Sequence, residues 1–169
     1  KTSPLGTENP TFSQNFMTLL FGVIDLDNRT FSYLNAGHPP LIRVNCTTGK
    51  VSMFDDSGTV LIGWKQDLNL TSDKISTVQL SDECIYMLYT DGIFECVNKD
   101  DDNDLLGLDR LIEMIENSPR KYNVLNLPYF INDSLSLLGY LTNSDDFTVI
   151  SFQSGRDVFK DDKFDDYNL

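Results

Sequence analysis

Two short acidic motifs carry the side chains best suited to chemistry in this 169-residue chain. The first is Tyr89-Thr90-Asp91-Gly92, where an apolar run ends in a carboxylate followed at once by a glycine. Such a glycine lets the backbone turn sharply or approach a ligand closely. The second is Asp145-Asp146-Phe147-Thr148, two carboxylates ahead of another apolar run. If the two runs are antiparallel neighbours in one sheet, the end of one lies beside the start of the other, and Asp91 and Asp145 converge at one rim. Carboxylates meeting there without His or Cys make an oxygen-only site, which suits Mg²⁺ or Mn²⁺. Taken alone, Asp91 reads as a turn Asp bonding its own backbone, and the Asp145-Asp146 pair as a polar loop.

Other chemistries find little support. A lone His38 and three widely spaced cysteines, Cys46, Cys84 and Cys96, leave too few nitrogen and sulfur ligands for a tetrahedral zinc site. Cys84 lies inside an apolar run and reads as a small buried thiol. His38 reads as a hydrogen-bonded packing residue between a strand and the Pro39-Pro40 turn. The acidic run at 100–104 is not a calcium loop, because Leu105 stands where that loop requires Gly and Leu111 where it requires a bidentate Glu. A solvated acidic loop leading into a helix is expected there instead. P-loop, nucleophile-elbow and H-E-x-x-H motifs are absent from the sequence.

Composition narrows the partners. Asp and Glu number 26 against 13 Lys and Arg, a formal net charge of −13, so phosphate backbones and anionic lipid surfaces are repelled and no nucleic-acid partner is expected. The chain has no apolar stretch near the roughly 20 residues needed to span a bilayer, so no membrane insertion by this segment and a reduced, cytoplasmic setting are expected.

The elements that must position the two motifs follow from periodicity. Residues 1–15 read as a loop or linker. Residues 16–24 are apolar on both alternating faces, as in a strand covered on both sides. A turn at 25–29 and a strand at 30–34 complete a hairpin. Strands are expected at 41–44, 50–54 and within 73–80, and a central strand, apolar on both faces, at 83–90. Leu105, Leu108, Leu111, Ile112 and Ile115 form a helical stripe ending near Glu116. A second helix is expected from Asn126, whose side chain would cap it, with the stripe Leu127, Ile131, Leu135 and Leu138. A last strand at 147–152 closes the domain, before an acidic tail at 154–169. Many antiparallel strands with two late helices make an α+β domain.

Five blocks then fall in a telling order: Met17-Thr18-Leu19-Leu20-Phe21-Gly22, Asn35-Ala36-Gly37-His38-Pro39-Pro40, Leu61-Ile62-Gly63, Tyr89-Thr90-Asp91-Gly92-Ile93-Phe94-Glu95 and Asp145-Asp146-Phe147-Thr148. The chain resembles the later part of a bacterial serine phosphatase of the sporulation stage II protein E (SpoIIE) and RsbU type, within the protein phosphatase 2C-like superfamily. The resemblance implies a sandwich of two antiparallel sheets flanked by helices (α-β-β-α), here without its N-terminal strands, with the phosphatase portion at 16–153. It implies Mn²⁺ or Mg²⁺, two ions in a complete domain, with Asp91, Gly92 and Asp145 at the metal, and Thr90 and Asp146 around it. Glu95 reads equally as a supporting residue or as a solvated helix-start Glu. It further implies that a water held by the ions attacks phosphoserine on a regulatory protein, such as an anti-sigma-factor antagonist. The Gly-Asp…Asp and Asp-Gly-x-Gly-His-Gly-like elements that precede this region in the family have no match in residues 1–15. An alternative therefore stands beside the enzyme: a phosphatase-like binding or regulatory module with an incomplete metal site. An unpaired sheet edge would also permit a dimer.

Overall fold

A computed structural model of the chain describes residues 16–55, 61–63, 71–118, 122–141 and 146–155. The expected linker at 1–15, Asp145, and all but the first two residues of the expected acidic tail lie outside the described residues. In chain order the elements are β1 (Leu19–Asp25), β2 (Thr30–Ala36), β3 (Leu41–Asn45), β4 (Val51–Phe54), β5 (Ser76–Gln79) and β6 (Cys84–Tyr89). There follow β7 (Val97–Asn98), β8 (Asp101–Leu105), α1 (Gly107–Glu116), α2 (Asn126–Leu137), β9 (Tyr140–Leu141) and β10 (Val149–Gln153). The strands build three sheets of order β1-β2-β5, β10-β6-β3-β4 and β8-β7-β9, every pairing antiparallel.

Strand β6 shows why the layers stack as they do. Its even-numbered residues Cys84, Tyr86 and Leu88 pack toward the first sheet, meeting Phe31, Tyr33, Val78 and Leu80. Its odd-numbered residues Ile85, Met87 and Tyr89 pack the other way, with Ile42 and Val44, onto Leu111 and Ile115 of α1 and Leu127, Ile131 and Leu135 of α2. A strand with period-two side chains and apolar residues at every position must be covered twice, and it is. Phe152 of β10 seals the inter-sheet core, edge-on to Phe31 at 5.5 Å and stacked on Tyr86 at 5.4 Å. A polar group of that core, the Tyr86 hydroxyl, donates to the Gln79 carbonyl and accepts from the Ser81 N–H.

Four expectations are corrected. Strand β1 is not covered on both sides: Phe21 and Val23 remain 65% and 62% exposed, because among the described residues nothing packs on the outer face of the β1-β2-β5 sheet. The acidic run is not a loop. Asp101–Leu105 is strand β8, held because Asp104 takes Arg110 Nη1 at 2.5 Å, the Tyr140 hydroxyl at 3.1 Å and Asn98 Nδ2 at 3.3 Å. Leu105 consequently belongs to that strand and is half exposed, and the helical stripe begins at Leu108. Asn126 does not cap α2 but is its first residue. Asn123 Oδ1 accepts the Leu125 and Asn126 N–H groups, and Leu138, past the helix end, is exposed.

Candidate metal site at the sheet rim

The pairing on which the site depends is present: β10 lies antiparallel to β6, with Val149 opposite Tyr89. The ladder runs on past both strand ends. Thr90 N–H donates to the Thr148 carbonyl at 3.1 Å, the Thr148 N–H donates to Thr90 Oγ1 at 2.9 Å, and that hydroxyl donates to the Asp146 carbonyl at 2.8 Å. Thr90 therefore fastens the segment that carries Asp146 to the exit of β6. The β-branched residue at 90 has a role its sequence position hides, since its hydroxyl replaces a ladder partner where β10 has not yet begun.

Beyond Thr90 the chain turns. Asp91–Ile93 form a 3₁₀ turn in which the Phe94 and Glu95 N–H groups both donate to the Asp91 carbonyl at 3.0 Å. The Asp91 side chain stands exposed at the start of that turn, and its Oδ1 accepts the Gly92 N–H at 3.1 Å. Gly92 is buried, and its carbonyl accepts the Cys96 thiol at 2.9 Å. Burial pushes the Cys96 thiol pKa up, which keeps that donor protonated. The turn is further pinned by the Gly107 N–H on the Phe94 carbonyl and the Leu106 N–H on the Cys96 carbonyl, so the start of α1 holds it from below. Sequence reading missed Cys96. Its signal was the four-residue spacing from Gly92, which is the reach of one helical turn. Glu95 is exposed, its side chain outside this bonded frame as described.

Tyr89 and His38 complete the surroundings. The Tyr89 ring is 2% exposed and packs edge-on to Phe94 at 6.2 Å. Burial, with a further contribution from Asp55, raises the phenol pKa far above its ordinary value, and among the described residues the hydroxyl has no hydrogen-bond partner. His38 is half-buried, as a packing histidine should be, with Nδ1 at 3.2 Å from Thr18 Oγ1. Desolvation lowers its pKa, partly opposed by the nearby Asp91 carboxylate.

The chemistry of this rim is an oxygen chemistry. Asp91 offers an exposed carboxylate, and the segment entering β10 lies alongside it. That donor type fits a hard divalent cation. Among the described residues no three His, Cys, Asp or Glu side chains gather at one point, so these residues alone do not make a coordination shell. Asp145, expected opposite Asp91, lies outside the described residues. Thr90 and Asp146 are brought beside Asp91.

Comparison with known proteins agrees with this architecture. The profile of Stage II sporulation protein E (SpoIIE) matches residues 5–154. Protein IcfG of Synechocystis sp. is 29% identical over 140 residues, covering 80% of this chain and 20% of IcfG, so the chain spans about a fifth of that relative. Among solved structures, the SiaA-PP2C domain of Pseudomonas aeruginosa superposes with a TM-score of 0.58 at 19% identity, covering 80% of this chain and 51% of that one. The RsbU and RsbW domains of Rv1364c from Mycobacterium tuberculosis give 0.57 at 21%, covering 80% and 35%. The Mn-presoaked phosphatase domain of SpoIIE from Bacillus subtilis gives 0.54 at 17%, covering 82% and 57%. The fold is thus that of the PP2C-like phosphatases, and a profile match over most of its length places the chain in the SpoIIE family.

Proposed function

We propose that residues 16–153 are the C-terminal portion of a metal-dependent protein serine phosphatase domain. It would act in the cytoplasm on a phosphoserine of a regulatory protein, such as an anti-sigma-factor antagonist. The observation that carries this reading is the β6–β10 register, continued by Thr90, which lays the Asp91 turn beside the 146–148 segment. Asp91, the Gly92 backbone and Asp145 would hold Mn²⁺ or Mg²⁺. Such an ion supplies a lowered water pKa and neutralises phosphate charge. The residues of the chain do the positioning. Thr90 locks the two acidic segments together, the Asp91 turn is braced by Cys96 and Gly107, and Asp146 flanks the site. The net charge of −13 makes a bound cation the natural contact for a phosphorylated partner. Partner proteins are in keeping with relatives such as the Rv1364c structure, which joins RsbU and RsbW domains.

A second reading is favoured by a specific observation: the chain spans 51% and 57% of the SiaA and SpoIIE phosphatase chains it superposes on, and the described residues hold few metal ligands. On that reading this polypeptide alone binds regulatory proteins without hydrolysing them. Release of phosphate from a phosphoserine protein with Mn²⁺ separates the two, measured on this chain and on a version extended upstream. Asp91→Asn and Asp145→Asn should each lower the Mn²⁺-dependent rate about 100-fold or more. Unchanged rates in both variants would exclude the enzyme reading, whereas activity in the extended version only would assign the second reading to this segment.

A further inference from the structure

The most conspicuous sequence block that the proposed chemistry leaves unused is Asn35-Ala36-Gly37-His38-Pro39-Pro40, and it stands against the site. In the β3–β6 ladder Ile42 lies opposite Met87. Continuing that register by four residues sets position 38 opposite position 91. On the other flank of β6 the β10 register sets position 147 opposite position 91. β6 ends at Tyr89, so neither register reaches Asp91 itself. The two ladders nevertheless run toward the 146–148 segment on one flank and toward the His38 corner on the other, and the Asp91 carboxylate stands near enough to His38 to act on its charge.

The His38 side is built for rigidity. Asn35, 1% exposed, is the one buried amide or charged side chain among the described residues. Its amide donates to the His38 carbonyl and its oxygen accepts the His38 N–H, each at 2.8 Å, which closes the turn through Gly37 at φ 71°. Leu61 packs over Gly37, and Ile62 forms a two-way backbone bridge with Met17 at 2.9 and 3.0 Å. The imidazole then reaches two ways. Nδ1 pairs with Thr18 Oγ1, just before β1, and the ring faces the Tyr89 carbonyl and the Asp91 carboxylate at the exit of β6. One side chain so connects the β1-β2-β5 sheet to the Asp91 turn on the β10-β6-β3-β4 sheet. A side chain with two polar atoms on a flat, stiff ring can fix a distance between sheets that sliding apolar contacts leave soft.

We propose that His38 is a positioning residue for Asp91, tied to Thr18 and Asn35 and set against the exit of β6, so that the Asn35–Pro40 corner sets where the Asp91 carboxylate stands. The proposal rests on Asp91 being a metal ligand only for its effect on the cation, not for its effect on the turn. It predicts that outer partners of this kind matter to affinity even though they never touch the ion.

The test uses amide NMR spectra of this chain, first without metal and then titrated with Mg²⁺. In His38→Leu, hydrogen exchange of the Thr90, Asp91 and Gly92 amides should quicken without metal, while amides in the middle of β6 stay protected. Mg²⁺-induced shifts at residues 90–95 should then need about tenfold more cation. His38→Gln, whose amide can still donate toward the Tyr89 carbonyl, should lie within about twofold of wild type, a rescue that a mere packing role would not give. Thr18→Val, which removes the other arm and keeps the shape, should show a smaller change in the same direction and serves if His38→Leu unfolds. Wild-type exchange at residues 90–92 in His38→Leu, or equal loss in His38→Leu and His38→Gln, would overturn the proposal. Asp91→Asn separates the readings: if it leaves the Mg²⁺ shifts intact, the metal assignment fails while the metal-free exchange still decides the role of His38.

Discussion

Gly37 meets two demands that no other residue type satisfies at once. Its φ of 71° is in the left-handed region, and a β-carbon added there would land inside the van der Waals shell of Leu61 Cδ2. The left-handed backbone alone costs an L-residue about 1–2 kcal/mol, and displacing Leu61 adds to it. Gly37→Ala should therefore destabilise the chain by about 2–3 kcal/mol, read as a fall in the urea midpoint at constant slope. Leu61→Ala in the same chain should restore only the steric part, so the double mutant should be more stable than the sum of the single losses predicts. Strict additivity would show that Leu61 does not bear on the turn. The same positions explain why the Asn35–Pro40 and Leu61–Gly63 blocks were visible in the sequence yet mute about their purpose. Each is a residue-type requirement of one rim, and only the fold shows that they meet.

At the scale of elements, the small β8-β7-β9 sheet depends on charge where its sequence lacks β-forming residues. Arg110 Nη1 donates to Asp104 at 2.5 Å and to the Tyr140 hydroxyl at 2.6 Å, and Asn98 adds a further donor. These donors, Arg110 foremost, hold the Asp104 carboxyl below the usual carboxylate range. A carboxylate whose folded pKa is depressed stabilises the fold fully above its unfolded pKa, and that contribution is lost as pH falls through the folded value. Asp104→Asn should thus lower the melting temperature at pH 7, and the two melting curves should converge in acid, below the depressed folded pKa. A difference that persists unchanged into acid would place the effect in packing rather than charge. This sheet was illegible beforehand for the same reason. Four aspartates among residues 100–104 carry no strand periodicity, and of the partners that hold Asp104, Tyr140 is 36 residues away while Arg110 lies on the helix that follows, so neither shows in the run itself. By contrast β6 and its pairing with β10 could be read directly, because an unbroken apolar run has one common solution in an antiparallel sandwich. The α2 start was legible at Asn126, but not the residue that holds it, because Asn123 and Asn126 are equally suited to capping by type, and only the bonds to the Leu125 and Asn126 N–H groups distinguish them.

For the molecule as a whole, the two sheets differ in how they are covered. The β10-β6-β3-β4 sheet lies between the other sheet and the two helices, whereas the outer face of β1-β2-β5 carries Leu19, Phe21 and Val23 in the open, with Ile75 beside β5 half exposed. On β1 these are alternate residues, so they form one stripe rather than scattered surface contacts. Among the described residues β1 pairs with β2 alone, which leaves its other edge free as well. An apolar stripe next to an unpaired edge is the surface through which chains associate. Phe21→Thr with Val23→Thr keeps strand propensity and removes the stripe. In this 169-residue chain the pair should leave stability within about 0.5 kcal/mol, because neither side chain is buried, while reducing dye binding to exposed apolar surface and concentration-dependent association seen by light scattering. The same pair in a polypeptide extended upstream should instead cost about 1.5–3 kcal/mol per buried side chain if the added residues cover this face. A loss of that size already in the 169-residue chain would mean that the face is occupied there, and a loss in neither would mean that the stripe stays open to a partner protein in both.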